Sequence, residues 1–365
     1  MSRTPKILVT SAGGNTGLPV VLRLRALGFN VRAAVRREDA RARQLRAAGA
    51  EVIIADLYSL PEMRRLMAGV ERAYHCAPTA PNGLHFGAVF AAAAQEARIK
   101  HVVMLGQWLS APDHPSLFTR EVWLSEQMLR ALPDTTLTVV NPGWFAANYF
   151  MVLGLAAHLG VLPMPLGAGD VKKNAPPSNE AIAAVVAAAL ADPDAHAGQT
   201  YRPTGPALLS PDEIAAGIGR ALGRRVRYRP ISERMFMKAL VANPPGNFSY
   251  LMLSQLALYA EEYRRGTFAV GGPTDVVQRV GGLTPEPFED TAARAARAMP
   301  ETAPGLANRL SALWGFAKTG LTRAPDPGRI LRDRDLPELR TPVFAQDSRD
   351  WTQTHIPKPA ISAVA

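Results

Sequence analysis

Cysteine is almost absent from this 365-residue chain, whose single thiol belongs to Cys76. One thiol excludes a disulfide within the chain and argues against a cysteine-based metal site, so we expect no bound metal. The chain also lacks an amino-terminal stretch with the charged and apolar parts of a secretion signal, because a strand pattern begins at Lys6. These absences predict a soluble cytoplasmic protein.

Long apolar runs and dense basic blocks are scarce as well. One apolar stretch, residues 145–166, approaches the length of a membrane span, but Asn148, His158 and two prolines interrupt it. We therefore expect a loop and a short helix near a cleft there, and no membrane partner. The net charge is +10, yet the basic residues are mostly arginine and are scattered along the chain. This pattern favours anionic ligands over nucleic acid.

The first residues of the chain contain its most informative pattern. Ile7, Leu8 and Val9 predict a buried strand, and a glycine-rich turn follows it directly. Apolar residues then recur at helical spacing. The members of this helix face are Val20, Val21, Leu24 and Leu27. A strand, a glycine-rich loop and a helix in this order are typical of the first unit of a dinucleotide-binding βαβ fold.

The small residues of this loop suit a pyrophosphate. A helix N-terminus offers free N–H groups and a partial positive charge, and a phosphate approaches closely where no Cβ intervenes, as at Gly13 and Gly14. Gly17 allows the helix to pack closely on the strand. Ser11 occupies the first place of the G-x-x-G-x-x-G spacing, where it is less free in φ than glycine. The alternative interpretation is an ordinary strand-to-helix turn.

The end of the second predicted strand bears on the choice of cofactor. Residues 29–35 run into Arg36 and Arg37, about where an NAD-preferring site has an acidic residue for the ribose 2′-OH. Two guanidinium groups suit a 2′-phosphate, and no carboxylate there would repel it. NADP(H) is therefore favoured over NAD(H). The alternative is that the arginine pair only solvates a loop.

Strand and helix patterns alternate through the first 150 residues, and the strands are nearly continuous apolar runs. This predicts an α/β fold with a Rossmann-type parallel sheet that is covered on both faces. Beyond residue 155 an alanine-rich helix, short strands and a helix start at Ser210 follow. We predict an NADP-binding Rossmann domain over 1–155, a smaller C-terminal α/β substrate or lid domain over 156–290, and a partly irregular extension over 291–365.

Several segments together resemble the NmrA-like branch of the atypical short-chain dehydrogenases/reductases, over roughly residues 6–290. ILVTSAGGNTG is similar to the first strand and loop of that family, and VRAAVRR is similar to its second strand. TVVNPGWFAANY resembles the segment that lines its nicotinamide and substrate pocket. The family includes NADPH-dependent reductases and catalytically silent redox sensors, so the resemblance implies one of these two functions.

The resemblance also implies a position for each part of NADP(H). The glycine-rich loop would hold the pyrophosphate, and Arg36 would meet the 2′-phosphate. Two residues after the third strand would meet the adenine edge, and the ends of the fourth and sixth strands would flank the nicotinamide half. With Arg37, the predicted cofactor-binding residues are Ser11, Ala12, Gly13, Gly14, Asn15, Thr16, Gly17, Arg36, Asp56, Leu57, Ala77, Pro78, Thr79, Asn141, Pro142, Gly143 and Trp144.

The usual catalytic pair of short-chain dehydrogenases, Tyr-x-x-x-Lys, is missing from the helical pattern at 120–132. Val122 stands where many relatives carry lysine or histidine, and Gly106 and Gln107 replace the strand-end serine. We therefore expect a planar, electron-poor substrate that accepts hydride without an enzyme acid, such as a quinone, azo, iminium or conjugated carbonyl compound. The alternative is a non-catalytic NADP(H) sensor that regulates a protein partner.

Candidates for a proton-donating or orienting role are few. Tyr149 follows the pocket segment and His75 ends the fourth predicted strand, and core packing is the alternative for both. Trp144, Phe145 and Tyr149 are the predicted lining of a substrate pocket for a planar molecule. The expected partners are a small-molecule substrate and, as open alternatives, a second copy of the chain or a regulatory protein.

Overall fold

The computed structural model describes residues 4–78, 82–244, 250–333 and 335–356. Its strands are β1 (Lys6–Val9), β2 (Asn30–Val35), β3 (Glu51–Ile54), β4 (Arg72–His75), β5 (His101–Leu105), β6 (Thr136–Val140), β7 (Val161–Met164), β8 (Thr200–Tyr201) and β9 (Arg227–Pro230). Seven form a parallel sheet in the order β3-β2-β1-β4-β5-β6-β8, and β7 pairs with β9. The order 3-2-1-4-5-6 is that of the doubly wound dinucleotide-binding sheet, so the predicted fold class is confirmed.

Among the described residues, α-helices pack on the two faces of the large sheet and around the smaller sheet of β7 and β9. They are α1 (Gly17–Ala26), α2 (Ala40–Ala47), α3 (Leu60–Met67), α4 (Gly83–Glu96), α5 (Leu117–Arg130), α6 (Leu153–Leu159), α7 (Asn179–Ala191), α8 (Pro193–His196), α9 (Pro211–Ala221), α10 (Glu233–Ala242), α11 (Tyr250–Arg264), α12 (Val276–Arg279), α13 (Phe288–Ala298), α14 (Leu306–Leu321), α15 (Pro327–Arg332) and α16 (Arg349–His355). α1 and α7 share one apolar core against the sheet. α3, α4 and α5 share the core on the opposite face.

The central strands are buried because helices lie on both of their faces. Ile7, Leu8 and Val9 of β1 have no exposed surface, and Leu8 lies opposite Arg32 of β2 and Ala73 of β4. The face of α1 is buried as predicted up to Leu24. Leu27, predicted on the same face, lies just beyond the end of α1 and is 55% exposed, because the chain turns there toward β2.

The large sheet takes elements from beyond residue 155. β8 pairs with β6 through Val139 and Thr200, and α7 packs against α1 through Val20, Val21 and Ile182. Both elements lie within the segment assigned from sequence to the smaller domain. The domain boundary at residue 155 stays a prediction. The structure shows that β8, which follows this boundary in the chain, is the seventh strand of the large sheet.

A third apolar core lies among β7, β9 and the helices α6, α9, α10 and α13. β9 is held to β7 by the hydroxyl of Tyr228, which donates to the carbonyl of Met164 at 3.0 Å. α9 begins with the predicted signal: Ser210 accepts from the N–H of Glu213, and Glu213 accepts from the N–H of Ser210. These elements sit beyond the carboxyl-end loops of the large sheet.

The segment after residue 291 contains more helix than the sequence suggests. The extension predicted as partly irregular includes the 16-residue helix α14, and α16 places Trp351 in the apolar core. Within the described ranges, no helix combines the length and apolar character needed to cross a membrane.

Candidate functional site

The glycine-rich loop begins with a residue in a left-handed conformation. Ser11 has a φ of +48°, in the region that glycine adopts without strain. Its hydroxyl donates a hydrogen bond of 2.9 Å to the carbonyl of Cys76, at the end of the neighbouring strand. Serine therefore makes the turn that the spacing assigns to glycine, and a side-chain hydrogen bond offsets part of the backbone strain.

Gly17 and Gly14 are needed because the loop folds tightly on itself. A Cβ on Gly17 would lie 2.3 Å from the carbonyl oxygen of Ser11, and a Cβ on Gly14 would lie 3.0 Å from the same atom. The N–H groups of Asn15, Thr16 and Gly17 have no acceptor among the described residues. The start of α1 therefore presents free donors and the positive end of a helix dipole, which is the arrangement that binds a pyrophosphate.

Thr10 ties this loop to β4. Its hydroxyl donates to the carbonyl of Tyr74 at 2.8 Å and accepts from the N–H of Cys76 at 2.9 Å. Cys76 is buried, and desolvation raises the pKa of its thiol, so the sulfur stays protonated at neutral pH. The two hydrogen bonds of Thr10 therefore hold the start of the glycine-rich loop against the end of β4.

The arginines that follow β2 differ in their surroundings. Arg36 is exposed and has no hydrogen bond or ion pair with any described residue. Arg37 lies 3.7 Å from Asp39, whose carboxylate caps α2. Arg41, which the sequence analysis missed, donates to the carbonyl of Gly13 at 2.7 Å. The sequence does indicate Arg41, because a basic residue in the first turn of the helix after β2 lies near the same end of the sheet as the glycine-rich loop.

The predicted adenine contacts lie after β3. A carboxylate oxygen of Asp56 accepts from the N–H of Tyr58 at 2.9 Å, and Leu57 is buried beside it. Ala77 and Pro78 follow β4 and are half-buried, close to the glycine-rich loop. Thr79 lies outside the described residues. Apart from Thr79, the predicted cofactor-binding residues therefore lie after the carboxyl ends of β1, β2, β3, β4 and β6.

The ends of β5 and β6 meet without room for a side chain between them. A Cβ on Gly106 would lie 2.0 Å from the side-chain oxygen of Asn141, which is buried. The N–H of Asn141 donates to the carbonyl of Tyr201 at 2.7 Å, and the carbonyl of Pro142 accepts from the N–H of Trp108. This packing explains why glycine follows β5 at position 106.

A hydroxyl cluster that the sequence analysis missed lies at the end of β5. Gln107 accepts hydrogen bonds of 3.1 Å from the hydroxyls of Thr119 and Tyr259, and these two hydroxyls are 3.1 Å apart. Tyr259 belongs to α11 and is partly exposed. Burial of the hydroxyl raises the pKa of Tyr259, which keeps the phenol protonated at neutral pH. No motif in the sequence links these residues.

The structure brings together two of the three residues predicted to line a substrate pocket. The rings of Trp144 and Tyr149 are 6.3 Å apart in one core, whereas Phe145 packs against the core under α1 and α7. Tyr149 is fully buried, and its hydroxyl donates to that of Tyr263 and accepts from the side chain of Asn174. Burial raises its pKa far above the usual value. A pocket lined by all three stays a prediction, and the closed surroundings of Tyr149 argue against its role as proton donor.

His75 is also buried, between the rings of Phe86 and Phe90 at 4.9 and 4.8 Å. Desolvation lowers the pKa of His75 to about 4, so the ring is neutral at pH 7. It lines a narrow cavity together with Glu121, and burial raises the pKa of Glu121 to about 7. The sequence analysis missed Glu121, which no motif marks. No group of the described residues has three His, Cys, Asp or Glu placed to hold a metal ion.

The fold and the site define the class, a Rossmann-type α/β protein. Its first loop presents free N–H groups that suit an anion, and Arg36 after its second strand has no ion pair with a described residue. The chain belongs to the NmrA-like family, whose model matches residues 3–267. An NAD(P)H azoreductase of Xenophilus azovorans is 32% identical over 78% of this chain and 96% of that protein.

Solved structures share the fold. The NADPH complex of an NADPH-dependent quinone oxidoreductase from Escherichia coli covers 79% of this chain and 99% of its own, with a TM-score of 0.65 and 21% identity. The NADP(H) complex of triphenylmethane reductase from Citrobacter sp. has a TM-score of 0.64 and 21% identity, over 79% of this chain and 99% of its own. These similarities show that the fold is shared over 79% of this chain.

Proposed function

We propose that this protein is an NADPH-dependent reductase that transfers hydride to a planar, electron-poor small molecule of the azo or quinone type. The chain is an oxidoreductase of a family in which a relative covering most of its length is an NAD(P)H azoreductase. The main support for the proposal is the set of free N–H groups at Asn15, Thr16 and Gly17, together with the guanidinium of Arg36, which has no ion pair with a described residue.

Each part of the cofactor has residues that fit it. Residues 11–17 would bind the pyrophosphate, and Arg36 and Arg37 would bind the 2′-phosphate. Asp56 and Leu57 would contact the adenine. Ala77, Pro78, Thr79 and residues 141–144 would flank the nicotinamide, which supplies the hydride when the cofactor is bound. With the cofactor bound in this way, the reacting ring would lie beside the ends of β4, β5 and β6.

Tyr259 is the proton donor that this geometry favours. Its hydroxyl lies at the end of β5, where Gln107 and Thr119 fix its position. A quinone or azo acceptor that takes hydride becomes an anion and needs one proton, which the neutral phenol gives and regains from water. The structure thus offers an enzyme acid in place of the missing Tyr-Lys pair.

Replacing Tyr259 with phenylalanine is expected to lower kcat at least tenfold for a quinone or azo acceptor. A cationic triarylmethyl dye needs hydride alone, so its reduction by Tyr259→Phe should match that of the wild type. Stopped-flow measurement of NADPH oxidation with both acceptors checks this. Tyr201→Phe is the matched control, because the Tyr201 hydroxyl contacts His196 near the edge of the sheet. Equal losses with both acceptors would contradict the role.

Replacing Arg36 with alanine should weaken NADPH binding about 10- to 100-fold, because a charge-assisted hydrogen bond to the 2′-phosphate is lost. NADH lacks that phosphate, so its affinity should stay unchanged. Fluorescence titration with both cofactors measures the two constants. Arg43→Ala is the control, since Arg43 is equally exposed on α2 and points to no predicted contact. A loss shared equally by NADPH and NADH would argue against Arg36 as the 2′-phosphate ligand.

Turnover of NADPH with a panel of quinones, azo compounds and enones tests the reductase itself. Oxidation at ordinary enzymatic rates supports it. Tight binding of NADPH without turnover, together with capture of a protein partner in only one redox state, would instead favour the regulatory alternative. The proposal also includes a cytoplasmic location and a small-molecule substrate bound between the predicted Rossmann domain and the predicted smaller C-terminal domain.

A further inference from the structure

α14 turns its apolar side outward. Its buried positions are small, Gly315 and Thr319, and the helix is held to α10 by hydrogen bonds from Lys238 to the carbonyl of Gly320 and from Asn243 to that of Gly315. Its large apolar side chains face solvent, with exposed fractions of 72% for Leu306, 56% for Leu310, 45% for Leu313, 65% for Trp314, 63% for Phe316 and 84% for Leu321. A surface helix of a folded protein ordinarily buries this stripe.

The exposed residues form one continuous face. At about 100° per residue, positions 306, 310, 313, 314 and 321 fall within an arc of about 100°, and Phe316 lies about 60° beyond one edge of it, so the exposed apolar face spans about 160°. Gly315 and Thr319 lie on the opposite side, against the body of the protein. The exposed face therefore runs the whole length of the helix, and it lies beyond residue 267, where the family match ends.

The charged residues of α14 and of the turn that follows it are all positive. Arg309 lies between Phe316 and the rest of this face, Lys318 lies on its opposite edge, and Arg323 follows the helix. Residues 302–325 contain no Asp or Glu. Lys238 of the neighbouring α10 adds a fourth positive charge at the end of α14.

We propose that α14 docks on an anionic lipid surface. Leucines and a tryptophan on one face, with lysine and arginine at its edges, are the composition of a helix that lies in the plane of a membrane interface. The apolar side chains would enter the boundary between headgroups and acyl chains, and the basic edge residues would contact acidic headgroups. Attachment is peripheral and reversible.

A second copy of this chain is a poorer occupant. A self-complementary contact between two α14 faces would bring two positively charged edges together, in a protein that already carries a net charge of +10. The face also offers six large apolar side chains, whereas a standard interface uses about 20–30 residues on each side. An anionic lipid surface satisfies both the apolar and the charged parts.

Co-sedimentation with vesicles tests the proposal on the full chain. Wild-type protein should bind vesicles of phosphatidylcholine and phosphatidylglycerol and release them in high salt, and it should bind pure phosphatidylcholine far more weakly. Leu310→Ser combined with Leu313→Ser should weaken binding at least about tenfold. Leu27→Ser, which changes a leucine that is 55% exposed at the end of α1, should bind like the wild type. Arg309→Gln with Lys318→Gln should lose about fivefold per charge on the anionic vesicles.

Tryptophan fluorescence locates the contact. Trp314 is exposed, Trp123 is partly exposed, and Trp108, Trp144 and Trp351 are buried, so the quenching by brominated acyl chains should be largely lost in Trp314→Phe. All variants change exposed residues, and circular dichroism confirms their folding. Failure of folded wild-type protein to bind anionic vesicles overturns the proposal. So does a dimer, seen by light scattering, that Leu310→Ser with Leu313→Ser converts to a monomer.

Discussion

The variant Gly17→Ala is expected to bind NADPH at least about a hundredfold more weakly than the wild type. The added Cβ would lie 2.3 Å from the carbonyl oxygen of Ser11 and 2.9 Å from the Cα of Ala12. Both are backbone atoms, so no side-chain rotation relieves the clash and the loop must open. In an opened loop the N–H groups of Asn15 and Thr16 would no longer point at the same phosphate. The loss of two hydrogen bonds to a charged phosphate accounts for the size of the effect.

Isothermal titration calorimetry of the folded variant measures this effect. Gly320→Ala is the matched control, because nothing lies within 4 Å of a Cβ added there. It should bind NADPH like the wild type and unfold at the same or a slightly higher temperature, since alanine favours a helix over glycine. An affinity of Gly17→Ala within threefold of wild type would show that the loop does not bind the pyrophosphate.

Trp351→Ala is expected to lower the free energy of unfolding by about 3–5 kcal/mol, the usual cost of removing a fully buried tryptophan. The indole of Trp351 has no exposed surface and donates to the carbonyl of Trp108 at 2.6 Å. Its ring packs edge-on against Trp108 at 5.5 Å and stacks on His355 at 5.0 Å. Removal leaves a cavity and an unpaired carbonyl beside the end of β5.

Chemical denaturation of both tryptophan variants provides the comparison. Trp314→Ala changes a tryptophan that is 65% exposed on α14, so its unfolding free energy should stay within about 0.5 kcal/mol of the wild type. Equal effects of the two substitutions would contradict the buried position of Trp351 and the attachment of α16 to the body.

The segment that leads to α16 is fixed by a buried carboxylate. Glu262 of α11 accepts hydrogen bonds from His114, from the hydroxyl of Thr267 and from the N–H of Ala345. Ser116 donates its N–H to the other ring nitrogen of His114, so the proton of that ring points at Glu262. A buried carboxylate needs such donors, and the extension supplies one of them.

Local features of the cofactor site could be predicted from the sequence because they depend on neighbours in the chain. The strand, loop and first helix follow from a continuous apolar run, a glycine-rich turn at Gly13 to Gly17 and apolar residues at helical spacing after it. Ser210 and Glu213 mark a helix start within four residues. The positive φ of Ser11 was foreseen as a conflict with glycine spacing, whereas the hydrogen bond to Cys76 that compensates it joins residues 65 apart.

Features that depend on distant contacts could not be predicted. Tyr259 reaches Gln107 across 152 residues, and Trp351 reaches Trp108 across 243. Tyr149 follows a strand end that borders two apolar cores, and the sequence does not indicate which core receives each aromatic ring. β8 has only two residues, too few for a strand pattern to reveal its place in the large sheet.

Calorimetric titration of the folded wild-type protein with NADPH and with NADH tests the central claim most directly. The free N–H groups of the loop and the unpaired Arg36 predict binding of both cofactors, with NADPH at least about tenfold tighter. Absence of heat with either cofactor, or a higher affinity for NADH than for NADPH, would contradict the account.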